Sequence, residues 1–125
     1  MKILLLGKNG QLGHELQRSL TSIGEVIALG RDELDLCDLR ALSRKIQVES
    51  PDIIVNAAAY TAVDKAETDK SHCYVINAIV PEIIALEAKD IGALLVHYST
   101  DYVFDGTKIE PYLPDDKPNP INYYG

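Results

Sequence analysis

Ile3-Leu4-Leu5-Leu6-Gly7-Lys8-Asn9-Gly10-Gln11-Leu12-Gly13 is the stretch whose reading decides the fold. Four consecutive apolar residues closed by a glycine suit a strand buried on both faces, the pattern of a parallel sheet. Gly7, Gly10 and Gly13 then recur every third residue as a GxxGxxG turn. Behind the turn, Leu12, Leu16 and Leu20 repeat every fourth residue, which predicts a helix from Gln11 to about Ser22 with these leucines on one face. A strand, a glycine turn and a helix in that order let bare backbone approach a pyrophosphate. They also aim the positive end of the helix at it. A lone glycine turn can be plain turn chemistry; strand before and helix after are what make it a cofactor signal.

Outward from this unit the chain alternates short apolar runs with helical segments. Gly24 ends the first helix, and Glu25 to Leu29 is the second strand. A polar loop, Gly30-Arg31-Asp32-Glu33, leads to a helix from Asp38 to Glu49, capped by Asp38 and closed before Pro51. Ile53-Ile54-Val55 is the third strand, followed by Asn56-Ala57-Ala58-Ala59. A helical region runs from Ser71 to Lys89 with Val75, Ile79, Ile83 and Leu86 on one stripe, and Pro81 inside it predicts a kink or two helices. Gly92 ends it and Ala93 to Val96 is the fourth strand. Past Thr107, Pro111, Pro114, Pro118 and Pro120 mark a loop. The expectation is α/β: a Rossmann-type three-layer sandwich with a parallel sheet in strand order 3-2-1-4. Residues 1–125 form one NAD(P)-binding domain, with the rest of the sheet and a substrate domain expected beyond it. That further chain would normally cover the last edge strand; left exposed, the edge invites pairing, which admits a homodimer.

Composition narrows the classes of function. The 125 residues are 46% hydrophobic and 25% charged, ordinary for a globular core. A net charge of −7 with scattered basic residues excludes a nucleic-acid partner, because phosphate neutralisation needs clustered Lys and Arg. No run approaches the roughly 20 apolar residues of a membrane helix. The opening run is shorter than the apolar core of a signal peptide, about 7–15 residues. A cytoplasmic protein without membrane contact is the expectation. Cys37 and Cys73 form no CxxC and read as reduced structural thiols. His14, His72 and His97 lack metal-ligand spacing, so no metal is expected. Asp64 and Glu67 read as a solvated helix face; Asn77 reads either as helix surface or as a residue that orders water or a lysine.

Three further positions carry chemistry. An acidic residue after the second strand would bond a ribose 2′-hydroxyl, whereas an arginine would accept a 2′-phosphate. This chain places Arg31 ahead of Asp32, which predicts use of both NADPH and NADH with a lean to NADPH. Ser99-Thr100-Asp101-Tyr102 follows the fourth strand, at the sheet edge where ligands sit. A hydroxyl there can bond a carbonyl, and a nearby tyrosine can deliver a proton. Tyr124 is the candidate donor; a phenol with a free pKa near 10 needs a neighbouring positive charge to do this well.

Three strings carry a resemblance: Gly7-Lys8-Asn9-Gly10-Gln11-Leu12-Gly13, Asn56 through Glu67, and Ser99 through Gly106. Over its whole length the chain resembles the dTDP-4-dehydrorhamnose reductases, an extended short-chain reductase family. That resemblance implies reduction of the 4-keto group of dTDP-4-dehydro-L-rhamnose to dTDP-L-rhamnose, with NADPH or NADH, for lipopolysaccharide and other surface polysaccharide. It implies that Gly7, Gly10, Gln11, Leu12 and Gly13 hold the pyrophosphate and that Asp35 and Leu36 contact adenine. Ala57, Ala58 and Tyr60 would line the ribose and phosphate side, and Tyr102 would lie near the nicotinamide. Thr100 matches the catalytic hydroxyl and Tyr124 the catalytic tyrosine of a Tyr-x-x-x-Lys pair. With that lysine past Gly125, the free 125-residue polypeptide is expected to bind cofactor weakly and to lack turnover. The competing expectation is a non-catalytic dinucleotide-binding or regulatory module of the same fold.

Overall fold

The run Ile3–Leu6 becomes an inner strand of a four-stranded parallel sheet, in a computed structural model that describes all 125 residues. β1 (Lys2–Leu6) lies between β2 (Glu25–Leu29) and β3 (Ile53–Asn56), with β4 (Leu94–His97) outside β3. Side chains alternate across the sheet as strand geometry requires. Leu4 and Leu6 face one helical layer with Leu42, Ile46, Ile54, Val80 and Ile84. Ile3 and Leu5 face the other with Val55, Leu16 and Leu20. The three-layer α/β expectation holds.

The strand order is 2-1-3-4, which corrects the expected 3-2-1-4. Two features explain the difference. Residues 30–38 form turns rather than a strand outside β2, and Leu34 from this segment buries against the core. β3 is buried along Ile54, Val55 and Asn56, at 0%, 3% and 1% exposure, and so needs a strand on each side. β2, with Glu25 exposed and Val26 to Ala28 half-buried, suits an edge. The chain therefore steps from β1 to one side and returns through α2 (Leu39–Glu49) to the other. That reversal between β1 and β3 is a topological switch point, where open α/β sheets form a crevice.

Helix ends follow their sequence signals. The Asp38 side chain accepts the Ala41 N–H at 3.0 Å, capping α2, and Ser50 closes it in the left-handed region at φ 42° before Pro51. α1 (Gln11–Leu20) buries only Gly13 completely, and Leu12 is 39% exposed. The long helical region is α4 (Lys70–Tyr74), a π-turn over Val75–Ile79, and α5 (Val80–Ile91), after the single turn α3 (Val63–Ala66). Pro81 falls in the first turn of α5, where its missing N–H costs little. The π-turn adds one residue to the helical count. Val80, Ile84 and Ala88 are consequently the buried stripe and Leu86 is 53% exposed, one place out of step with the stripe counted from Val75. No helix is long and apolar enough to cross a membrane.

Beyond the 3₁₀ turn at Asp101–Val103 the chain has no helix or strand and is organised by Asp105. Its carboxylate accepts from Asn119 Nδ2 at 2.8 Å, from Thr107 N at 3.0 Å and Oγ1 at 2.8 Å, and from the Tyr112 hydroxyl at 2.9 Å. Asn119 foremost, then Thr107 and Tyr112, hold this carboxyl well below the usual range. A depressed carboxyl stabilises the fold above its unfolded value of about 3.9 and loses that contribution as pH falls further. Acid titration should therefore release the Asn119 side-chain amide signal only below that value. Asp105→Asn should show it released already at neutral pH. An Asn119 signal indifferent to both would refute the role.

Candidate functional site

The registers Leu6↔Leu29, Leu6↔Asn56 and Asn56↔His97 bring the strand ends flush, so Gly7, Gly30, Ala57 and Tyr98 emerge along one edge. The glycine turn hangs on that edge: Gly7 N and Lys8 N both donate to Leu29 O, at 3.0 and 3.2 Å. Gly7 sits at φ 87°, and a Cβ there would lie 2.7 Å from Ala58 N. Both the left-handed backbone and the close approach demand glycine. Gly13 packs beneath the turn, where a Cβ would collide with the Gly7 carbonyl. Gly10 is different. It caps α1 with no side-chain hydrogen bond, and a Cβ there would meet only Gly7 O at 3.6 Å. No acidic residue occupies the first turn of α1, so its leading N–H groups stay available to an anion.

A cleft of about 540 Å³ opens at this edge. Of the residues singled out in the sequence, Gly7, Gly10, Arg31, Asp35, Leu36, Ala57 and Ala58 line it. Gln11 and Leu12 lie at the helix start with exposed side chains, and Gly13 lies under the turn. Tyr60, Thr100, Tyr102 and Tyr124 stand off its wall. The wall also takes in Asp32, read with Arg31 as the dinucleotide selector, and residues to which the sequence gave no site role of their own: Asn9, Leu34, Cys37, Ala59, His72 and Ile76. His72 and Ile76 are four apart, a helical spacing that would have paired them on one face. The wall's chemistry suits a molecule with a flat apolar end and an anionic middle. Leu29, Leu34, Leu36 and Ile76 form the apolar part, Gly7 and Gly10 the bare backbone, and Arg31, Asp32 and Asp35 the polar end.

Side chains fasten the loops around the cleft. Glu33 accepts from Gly30 N at 2.8 Å and pairs with the Lys8 ammonium, which ties the loop after β2 to the glycine turn. The lysine bond first, and then the Gly30 N–H, lower the Glu33 pKa. Asp35 accepts from Cys37 N at 2.9 Å. Desolvation and then the Asp35 charge push the Cys37 thiol up against the opposing charge of Arg31, so this free thiol is protonated at neutral pH. Asn56, buried, accepts from Ala58 N at 3.1 Å through Oδ1 and meets His97 Nδ1 at 3.2 Å through Nδ2. Asn77, inside the π-turn, grips the Tyr60 peptide on both sides: Tyr60 N donates to Oδ1 at 2.8 Å, and Nδ2 donates to Tyr60 O at 2.9 Å. It faces the loop after β3 rather than solvent. Tyr60 in turn donates its hydroxyl to Asp69 at 3.2 Å, and burial with this carboxylate raises its pKa.

The second group of candidates gathers past β4. Thr100 Oγ1 accepts from Tyr102 N at 3.2 Å, capping the 3₁₀ turn, and lies 3.4 Å from Asp101 Oδ1. The Tyr102 and Tyr124 rings meet edge-on, with centroids 5.4 Å apart at 81°. A side chain at Gly125 would collide with Tyr102 O. Thr100, Tyr102 and Tyr124 thus form one packed group.

Known proteins bear on this arrangement. Over 125 residues the chain is 52% identical to the dTDP-4-dehydrorhamnose reductase of Burkholderia thailandensis, covering 100% of this chain and 42% of that one. The crystal structure of a dTDP-4-dehydrorhamnose reductase from Clostridium acetobutylicum is similar at TM-score 0.95 and 44% identity, over 100% of this chain and 45% of that one. A Bacillus anthracis dTDP-4-dehydrorhamnose reductase, solved in complex with NADP, is similar at TM-score 0.93 and 39% identity, over 98% and 44%. The chain spans less than half the length of each of these relatives. A family model, the RmlD substrate binding domain, matches residues 1–125, and the chain belongs to that family.

Proposed function

We propose that residues 1–125 are the NAD(P)-binding domain of a cytoplasmic reductase. It would convert the 4-keto group of a nucleotide sugar, dTDP-4-dehydro-L-rhamnose, to the alcohol of dTDP-L-rhamnose. The observation that carries the reading is the cleft at the switch point, where bare glycine backbone, an uncapped helix start and Arg31 share one wall. The Bacillus anthracis relative, solved with NADP, supports the choice of dinucleotide. A homodimer belongs to the same reading.

The bound nicotinamide would supply a hydride to the sugar carbonyl. The chain's own residues prepare that event. Gly10 and the leading N–H groups of α1 receive the pyrophosphate, and Leu36 with Ile76 shelters the base. The Thr100 hydroxyl already accepts the Tyr102 N–H, and its proton, held only by a 3.4 Å approach to Asp101, is free to turn to a carbonyl. Tyr124 would donate its phenolic proton to the new alkoxide.

Calorimetric titration of this chain with NADPH and NADH tests the binding half. In the natural gene product carrying this chain, consumption of NADPH dependent on the keto sugar tests the chemistry. Dinucleotide bound without turnover would leave a non-catalytic module, and no binding at all would sink both readings. Arg31→Ala is expected to weaken NADPH about tenfold while NADH changes little, the loss of one exposed charge-assisted contact. Equal weakening of both would take Arg31 away from the 2′-phosphate.

A further inference from the structure

The elbow between α3 and α4 touches both groups of candidates. On one side, Asp69 receives the Tyr60 hydroxyl from the loop that borders the cleft. On the other, Glu67 Oε1 accepts the backbone N–H of Tyr123 at 2.8 Å, across 56 positions of sequence. Lys70 adds a second hold, its Nζ 5.2 Å from the centroid of the Tyr123 ring. The next residue, Tyr124, is then delivered edge-on to Tyr102, two residues from Thr100. Gly125 N, donating to Asn122 Oδ1 at 2.8 Å, is a local contact and cannot set where the segment lies on the domain. Among these contacts, Glu67 and Lys70 are the ones that reach Tyr123 from the cofactor side of the molecule.

We propose that Glu67 is a positioning residue for Tyr124, acting through the Tyr123 peptide. The inference rests on the reading of Tyr124 as proton donor. A carboxylate is a strong acceptor for a peptide N–H, and an amide oxygen can replace it at the same place. A short side chain cannot. A misplacement of the donor by even one ångström would slow proton delivery without disturbing the dinucleotide cleft.

The test compares wild type, Glu67→Ala, Glu67→Gln and the surface control Asp64→Asn. In this chain, amide hydrogen exchange at Tyr123 should quicken roughly tenfold in Glu67→Ala and stay near wild type in Glu67→Gln and Asp64→Asn. The ring resonances of Tyr102 and Tyr124 should move in Glu67→Ala alone. In the natural gene product, kcat for the keto sugar should fall on the order of tenfold in Glu67→Ala with KM for NADPH unchanged, and Glu67→Gln should restore it. Wild-type exchange and ring resonances in Glu67→Ala would overturn the proposal, and so would altered resonances with an unaltered kcat. Wild type without keto-sugar turnover, but with the exchange difference present, would overturn the reductase reading and support the Glu67 hold on Tyr123.

Discussion

Gly13→Ala is expected to lower the stability of the fold by roughly 3 kcal/mol, a fall in Tm of about 10 °C or more. The added methyl would collide with the Gly7 carbonyl oxygen and lie 2.7 Å from Gly7 C and 2.9 Å from Lys8 Cα. All three are backbone atoms of a turn that is already fastened to β2 through Leu29 O, so none can give way alone. To admit the methyl, either α1 must lift from β1 or the turn must leave the sheet. Thermal unfolding followed by circular dichroism measures the effect. A variant that melts with wild type would mean that α1 does not press on the turn as described.

Gly10→Ala, three residues earlier, is expected to do the opposite. Its Cβ would meet only Gly7 O at an ordinary 3.6 Å, and its backbone, at φ −76° and ψ 167°, suits any residue. The fold should lose no more than about 1 kcal/mol through the poorer helix cap. The affinity for NADPH should fall on the order of a hundredfold, the equivalent of one or two charge-assisted hydrogen bonds at the uncapped start of α1. Paired measurements of Tm and calorimetric Kd would separate the two glycines. Unchanged affinity in Gly10→Ala would place the phosphates elsewhere and remove the main support for the cofactor reading.

The two glycines look alike as sequence, and one further pair and two single residues hide their roles in the same way. Asp64 and Glu67 stand three apart on what reads as a solvated turn, yet only Glu67 reaches Tyr123. His72 has no ligand spacing and is easily set aside, but it lines the cleft and lies against Tyr60 with ring centroids 5.5 Å apart. Asn77 left two uses open; the π-turn aims it at the Tyr60 peptide instead. In each case the partner is 12 or more residues away or depends on helix phase. A motif records neighbours along the chain, whereas these contacts are made by elements that meet only after folding.

Local chemistry was legible from residues alone because its causes are local. Strand alternation, the glycine turn, the Asp38 cap, the stop before Pro51 and the loop after Thr107 each arise within a few residues, and each appears where the sequence puts it. Membership of the three layers followed from the same periodicities. Strand order did not, because it depends on which strand can bury both faces and both edges, and β3 takes that inner place while β2 is left at the edge. The buried stripe of α5 also escaped, since one extra residue in the π-turn rotates everything after it. The sequence by itself determined that a glycine turn would stand at a strand end ready for an anion. Only the tertiary structure decided which side chains wall the cleft and that Glu67 and Lys70 hold the tyrosine segment, because packing between distant elements sets those distances.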